Sequence, residues 1–186
     1  MSDFPDPRDR NVIAFDIGVK TTGVAWRVHH SISTHTHDLV NTDGFRATAP
    51  VTMFRMIASW LTKNFPSDAV LVVLVEDYAY GGGFFNADQA EIVGMFKNWL
   101  MDADISFIPL PQASIHKAVL GSGKARKSDT IKAVRGHGLH PASSHQADAA
   151  AVLLAYDRLW PSPNTSMIRR SILCRSFPLG KAANLI

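Results

Sequence analysis

Two apolar runs in this chain end in carboxylates. Val12-Ile13-Ala14-Phe15 runs into Asp16, and the stretch from Ala69 to Val75 runs into Glu76 and Asp77. A third acid, Asp148, follows His145 at a spacing that puts an imidazole and a carboxylate on one helix face. Any one of these features is ordinary: a strand end meets solvent, and an HxxD pair caps a helix. Taken together, two strands ending this way and a third acid in the last helix make coincidence less attractive. Clustered carboxylates cannot all stay ionised unless a positive charge sits among them. Oxygen ligands suit Mg²⁺ or Mn²⁺, and two such ions about 4 Å apart can activate water and stabilise a leaving oxygen in phosphodiester hydrolysis. A histidine ligand shifts preference modestly toward Mn²⁺; the other role open to His145 is proton shuttle or transition-state stabiliser. Strand side chains alternate faces, so Glu76 and Asp77 cannot both join the cluster. Alternation alone does not choose between them.

The elements that must carry these residues follow from patterning. Asn11 to Gly18 reads as a strand, Thr21 to His30 as a second, and His35 to Val40 as a shorter third, joined by turns that suit antiparallel pairing. Met53, Ile57, Trp60 and Leu61 recur at helical spacing between Pro50 and Pro66. Ala69 to Val75 is apolar throughout, as in a strand buried on both faces. A helix is expected over about 87 to 102, a last strand over 105 to 110, and a glycine- and lysine-rich loop over 112 to 127. Ser128 or Asp129 can cap a short helix ending at Gly136, and Ser143 or Ser144 a final helix reaching about Arg158. The order points to an α/β fold, a five-stranded mixed sheet flanked by helices on both faces. Residues 1–10 read as a flexible leader, 11–160 as one domain, and 161–186 as a basic tail.

The 186 residues suit a single core, and a composition 46% hydrophobic and 19% charged excludes a disordered chain. No apolar stretch nears the roughly 20 residues that cross a bilayer, and the first residues lack the apolar core of a secretory signal. The single cysteine, Cys174, forms no internal disulfide, which fits a reducing, cytoplasmic setting. The excess of Lys and Arg over Asp and Glu is only +3, too small to identify a partner. Its distribution is more informative, because Lys117, Lys124, Arg126, Lys127, Lys132 and Arg135 face one acid, Asp129, between residues 116 and 137.

Four segments, in order, resemble the RuvC family of Holliday junction resolvases within the RNase H-like superfamily: IAFDIGVKTTGVAW, VVLVEDYAYGGGFFNADQA, GSGKARKSD and HQADAAAVLLA. The match covers about residues 11 to 160. No single piece is specific; their succession carries the resemblance. It implies an RNase H-like sheet and a catalytic set of Asp16, Glu76 (which it selects over Asp77), His145 and Asp148, holding two Mg²⁺ or Mn²⁺ ions. It puts Lys127 on the family's basic position, and further implies a homodimer that nicks four-way DNA junctions in paired fashion in a bacterial cell or phage-infected host. The helix from residue 87 would form the dimer interface, for which Ile92, Val93, Phe96, Trp99 and Leu100 supply apolar surface. The acidic leader, the triple glycine at 81–83 and the basic tail depart from the family core.

Beside an acid cluster the basic segment reads as a phosphate-binding face, with Lys127 at the scissile phosphate and Lys117, Lys124 and Arg126 on the DNA backbone. Tyr80, Phe84 or Phe85, in the loop after Glu76, would wedge into unstacked bases. GSGK at 121–124 lacks the rest of a phosphate-binding loop signature, and His29, His30, His35 and His37 read as solvated positions on a hairpin. Competing readings are a nuclease of the same superfamily acting on RNA, hybrid or flap substrates, a one-lobed actin-like nucleotide-binding domain, and a catalytically silent junction-binding protein.

Overall fold

The computed structural model describes residues 10–38, 49–65, 70–77, 87–103, 105–159 and 177–178. In chain order the elements are β1 (Val12–Ile17), β2 (Thr21–Val28), β3 (Ser31–Asp38), α1 (Ala49–Asn64), β4 (Val70–Asp77), α2 (Ala87–Asp102), β5 (Phe107–Pro111), α3 (Gln112–Leu120), α4 (Lys127–Gly136), α5 (Ser144–Leu159) and β6 (Phe177–Pro178). The main sheet runs β3-β2-β1-β4-β5, with β1–β2 and β2–β3 antiparallel and β1–β4 and β4–β5 parallel. The two-residue β6 pairs antiparallel with Val70 and Leu71 at the start of β4, a pairing that the unpatterned tail sequence did not announce.

Strand alternation divides the core into two layers. Ile13, Phe15 and Ile17 of β1, with Val73 and Val75 of β4, pack under α1 and α2 against Met53, Ile57 and Phe96. Val12 and Ala14, with Leu74, Ile108 and Leu110, face α3, α4 and α5. On this second face the strands carry small residues where α5 crosses: Ala14 and Ala25 lie beneath a helix that contributes Ala149, Ala150, Ala151 and Ala155. Short side chains on both partners bring helix and sheet close together.

Three local expectations are corrected. The second strand stops at Val28, because His29 and His30 form a two-residue turn with φ of 49° and 70°. That left-handed pair closes a hairpin whose strands carry right-handed twist, so β3 begins earlier than expected, at Ser31. The expected loop over 112–127 is largely α3: Ile115 and Val119 form a buried i, i+4 pair, and Gly121, at φ 76°, caps its end. The glycine that looked like part of a loop signature is a helix stop.

The third correction concerns the histidines. His29 and His30 are exposed, but His37 is buried, and His35 and His37 pack on Trp60 at ring separations of 5.6 and 5.5 Å. Burial, reinforced by the neighbouring His35, lowers the His37 pKa to about 4, against a smaller opposing pull from Asp38. His37 is therefore neutral in the fold and must gain a proton when exposed in acid. Its contribution is complete above pH 6.5 and is lost as pH falls toward 4. Between pH 7 and pH 5 the loss should be on the order of 1–2 kcal/mol. Urea unfolding of the wild type and of His37→Phe at both pH values checks this: the variant should lose less stability than the wild type, and an equal loss would contradict it.

Candidate active site

Alternation on β1 and β4 aims the acids. Asp16 shares the parity of Val12 and Ala14, and Glu76 that of Leu74, so both carboxylates lie on the α5 face of the sheet. The strands are parallel neighbours with Ala14 opposite Leu74, which puts Asp16 and Glu76 at adjacent strand ends. Asp77 has the opposite parity and makes an ion pair with Lys97 on α2. Between two consecutive acids, the pleat sends one into the site and the other to the opposite layer.

The first turn of α5 supplies the other two groups. Ser143 acts as its cap, accepting the Gln146 N–H at 3.2 Å. His145 then lies with Nδ1 2.8 Å from Oδ2 of Asp16, and Asp148 follows one turn on. Both carry tuned electrostatics. The hydrogen bond to Asp16 raises the His145 pKa above its usual value, partly offset by burial. Burial and then the Asp16 charge raise Asp148 to about 6, opposed by Lys127 and His145. Glu76 is pushed well above the normal carboxylate range by burial and then by Asp16 and Asp148. A hydrogen bond from the Gln112 side chain and the charge of Lys127 oppose that rise.

The five residues expected to carry chemistry thus influence one another electrostatically. Lys127, exposed at the start of α4, acts electrostatically on Glu76, His145 and Asp148. Among the described residues no three His, Asp or Glu side chains form a tight, ready-made cage for an ion. The donor chemistry nevertheless fits a hard divalent cation: three carboxylates whose mutual repulsion is relieved only by protons or by positive charge.

Lys117 is exposed in the last turn of α3, Lys124 in the loop after it, and Arg126 at the N-cap of α4, where its backbone N–H donates to Asp129 at 3.0 Å. These cations adjoin Lys127 along the chain. Tyr80, Phe84 and Phe85 lie outside the described residues. Most of the apolar residues expected to form a partner face on α2 are covered within the single chain. Ile92, Val93, Phe96 and Leu100 are buried in the chain's own core, where Phe96 packs edge-on to Phe15 at 5.1 Å, so only Trp99 of the five is partly exposed. An apolar helix needed that surface to cover its own sheet.

Sequence reasoning passed over Gln112, which meets Glu76 from the start of α3, and Gln89, whose side-chain amide donates to the Ile17 carbonyl at the end of β1. Gln112 was hidden by reading its segment as a loop. Gln89 carries no spacing signal.

Solved structures with similar folds were found at low sequence identity. Thermus thermophilus RuvC aligns with a TM-score of 0.58 at 19% identity, covering 80% of this chain and 94% of that one. The same protein in complex with Holliday junction substrate gives 0.60 at 19% identity, over 80% and 93% of the two chains. Fowlpox virus resolvase, in a complex with substrate Holliday junction DNA, gives 0.50 at 14% identity, over 82% and 99%. The chain has the RuvC-type, RNase H-like fold. No family model and no curated protein matches its sequence.

The carboxylate cluster of this chain is held against its own repulsion. Both raised pKa values mean that ionising Glu76 or Asp148 opposes folding, so their stabilising effect is present in acid and lost as pH rises through about 6 for Asp148. Asp148→Asn should accordingly stabilise the protein in EDTA at pH 8, by about 3 kcal/mol, with a much smaller gain at pH 4. Urea midpoints at the two pH values measure it; destabilisation at pH 8 would contradict the account.

Proposed function

We propose that this protein is a divalent-metal-dependent endonuclease that resolves four-way DNA junctions. The observation that carries the reading is the convergence of Asp16, Glu76 and Asp148 from β1, β4 and α5 on one face, with Lys127 opposite. It is supported by a fold shared with two proteins whose structures hold Holliday junction DNA.

Asp16, Glu76 and Asp148 would hold Mg²⁺ or Mn²⁺, two ions per site, with His145 completing or tuning the set. When bound, the metal would supply activation of a water and charge stabilisation of the leaving oxygen. The chain's own contributions are separable. The carboxylates supply hard oxygen donors at the ends of rigid strands, and the Asp16–His145 bond fixes the ring with Nδ1 toward the carboxylate, leaving Nε2 as the second ring nitrogen able to move a proton. Lys127 meets the phosphate nearest the acids, and Lys117, Lys124 and Arg126 hold the flanking backbone without reading sequence. The aromatic set Tyr80, Phe84 and Phe85 would enter the open junction centre.

Paired nicks require two sites, and the protein would act as a homodimer. With four of the α2 apolar residues committed to the core, its partner face would use Trp99 and the exposed Met101. Among the described residues no helix is long and apolar enough to cross a membrane, in keeping with a nuclease acting on DNA in the cytoplasm.

The test is a strand-cleavage assay with Mg²⁺ or Mn²⁺ on a synthetic four-way junction, linear duplex, flap and RNA–DNA hybrid. Symmetric nicks confined to the junction are expected. Asp16→Asn should abolish them, by at least a hundredfold, while junction binding persists in a mobility-shift assay. Cleavage of hybrid or flap in preference to the junction would overturn the substrate assignment, and near-wild-type nicking by Asp16→Asn would overturn the site.

A further inference from the structure

The active-site turn of α5 is seated by Gly23, Thr34, Thr36 and Gln146, none of which is proposed to touch metal or DNA. Gly23 of β2 is the cross-strand partner of Asp16. A Cβ placed on it would lie 1.9 Å from the His145 carbonyl oxygen and 2.4 Å from its carbonyl carbon. Real carbon atoms do not approach so closely, and the obstruction is helix backbone, which cannot swing aside as a side-chain tip would. The first turn of α5 therefore rests directly on the β2 backbone, and any other residue at 23 would lift His145 from the carboxylate to which it bonds.

A polar lattice holds the same turn laterally. Gln146 Oε1 accepts the Ala142 N–H at 2.9 Å and the Thr34 hydroxyl at 3.0 Å, and Gln146 Nε2 donates to Thr36 Oγ1 at 2.9 Å. Thr36 Oγ1 also lies 3.1 Å from the Ser143 hydroxyl, which caps the helix by accepting the Gln146 N–H. Thr34 and Thr36 are two apart on β3, so they share the α5 face, while His35 and His37 between and beyond them serve the opposite layer. One glutamine side chain thus joins the turn before α5, the helix cap and the edge strand.

We propose that Gly23 and the Gln146–Thr34–Thr36 lattice are positioning elements for the catalytic site: the glycine sets the height of α5 above the sheet, and the lattice sets its rotation. Neither touches the reacting atoms. Each acts by keeping His145 Nδ1 on Asp16 and Asp148 over the same strand ends. The inference rests on the nuclease reading for its effect on cleavage, but the positioning itself is a property of the metal-free protein.

Two readouts separate these levels. The first is the ¹⁵N spectrum of the His145 ring in metal-free protein at a fixed pH of 8, which distinguishes a ring whose Nδ1–H is held by Asp16 from one free to exchange tautomers. The second is nicking of a four-way junction with Mn²⁺. The variants are Gly23→Ala and the double substitution Thr34→Val/Thr36→Val, which removes both hydroxyls at nearly constant volume. Thr34→Ser/Thr36→Ser restores the hydroxyls and serves as the rescue. Support partners of metal-site residues are commonly worth 10–100-fold. A loss of roughly that size is expected for the valine pair, with Gly23→Ala at least as severe and most of the activity recovered in the serine pair.

In both impaired variants the His145 signature of an Nδ1–H hydrogen bond should disappear, and it should return in the serine pair. An unchanged His145 spectrum in the valine pair and in folded Gly23→Ala would overturn the proposal, as would equal loss of activity in the valine and serine pairs. If the wild type cuts nothing while the spectra change as expected, the positioning stands and the nuclease reading fails. Should Gly23→Ala not fold, the valine–serine comparison alone decides.

Discussion

Like charges gathered at the end of a sheet are the constraint around which this protein is arranged. Glu76 and Asp148 are both held above their ordinary pKa by burial and by neighbouring carboxylates, Asp16 foremost. A fold that places three acids on one face does so against electrostatic repulsion, and the compensating groups are visible. His145 bonds Asp16, the Gln112 side chain meets Glu76, and Lys127 lowers the strain on Glu76 and Asp148 from the start of α4. These groups moderate the repulsion without removing it. The remaining deficit of positive charge is what a cation, and then a phosphate-bearing substrate drawn to that cation, would satisfy.

The rest of the chain holds these groups in place. The α1–α2 layer carries the bulky core, with Phe15, Phe54 and Trp99 gathered around Phe96 and a second aromatic group of Trp26, Trp60 and Phe65. The α5 layer has small residues where the helix crosses β1 and β2, so the helix lies close to the sheet there and carries His145 and Asp148 onto the strand ends. Further along, the same helix is tied down by the buried Arg27–Asp157 ion pair and by Arg158, which donates to the Ala118 and Val119 carbonyls at the end of α3. The helix that bears His145 and Asp148 is thereby joined to both β2 of the sheet and the helical layer carrying the basic residues.

Much of this was legible in the sequence because it depends on local pattern. The run from Val12 to Asp16, the apolar β4 and the alanine-rich α5 each announce an element and the acid it bears. What escaped depends on contacts between distant segments. Glu76 and Asp77 are indistinguishable by type, and only the register of β4 against its neighbours sends one to α5 and the other to Lys97. The lysines and glycines around 121–127 drew attention away from the Ile115–Val119 pair that makes α3 a helix. His37 looked like a polar hairpin residue until Trp60 covered it. The apolar side of α2 looked larger than one sheet requires, yet Ile92, Val93, Phe96 and Leu100 are all consumed by the chain's own core. Gly23 shows the same limit: its lack of a side chain has meaning only once α5 lies on it.

The repulsion among Asp16, Glu76 and Asp148 should be relieved by a divalent cation if the proposed metal-dependent function is right. The most direct measurement is thermal unfolding at pH 8 in EDTA and over a range of Mn²⁺ concentrations, for the wild type and for Asp16→Asn, Glu76→Gln and Asp148→Asn. At about a hundred times the dissociation constant, binding should contribute about 3 kcal/mol, a rise on the order of 5–10 °C for a chain of this size. The account predicts a saturable rise in the wild type that each substitution largely removes. No Mn²⁺-dependent rise in the wild type, or a rise that survives all three substitutions, would contradict it.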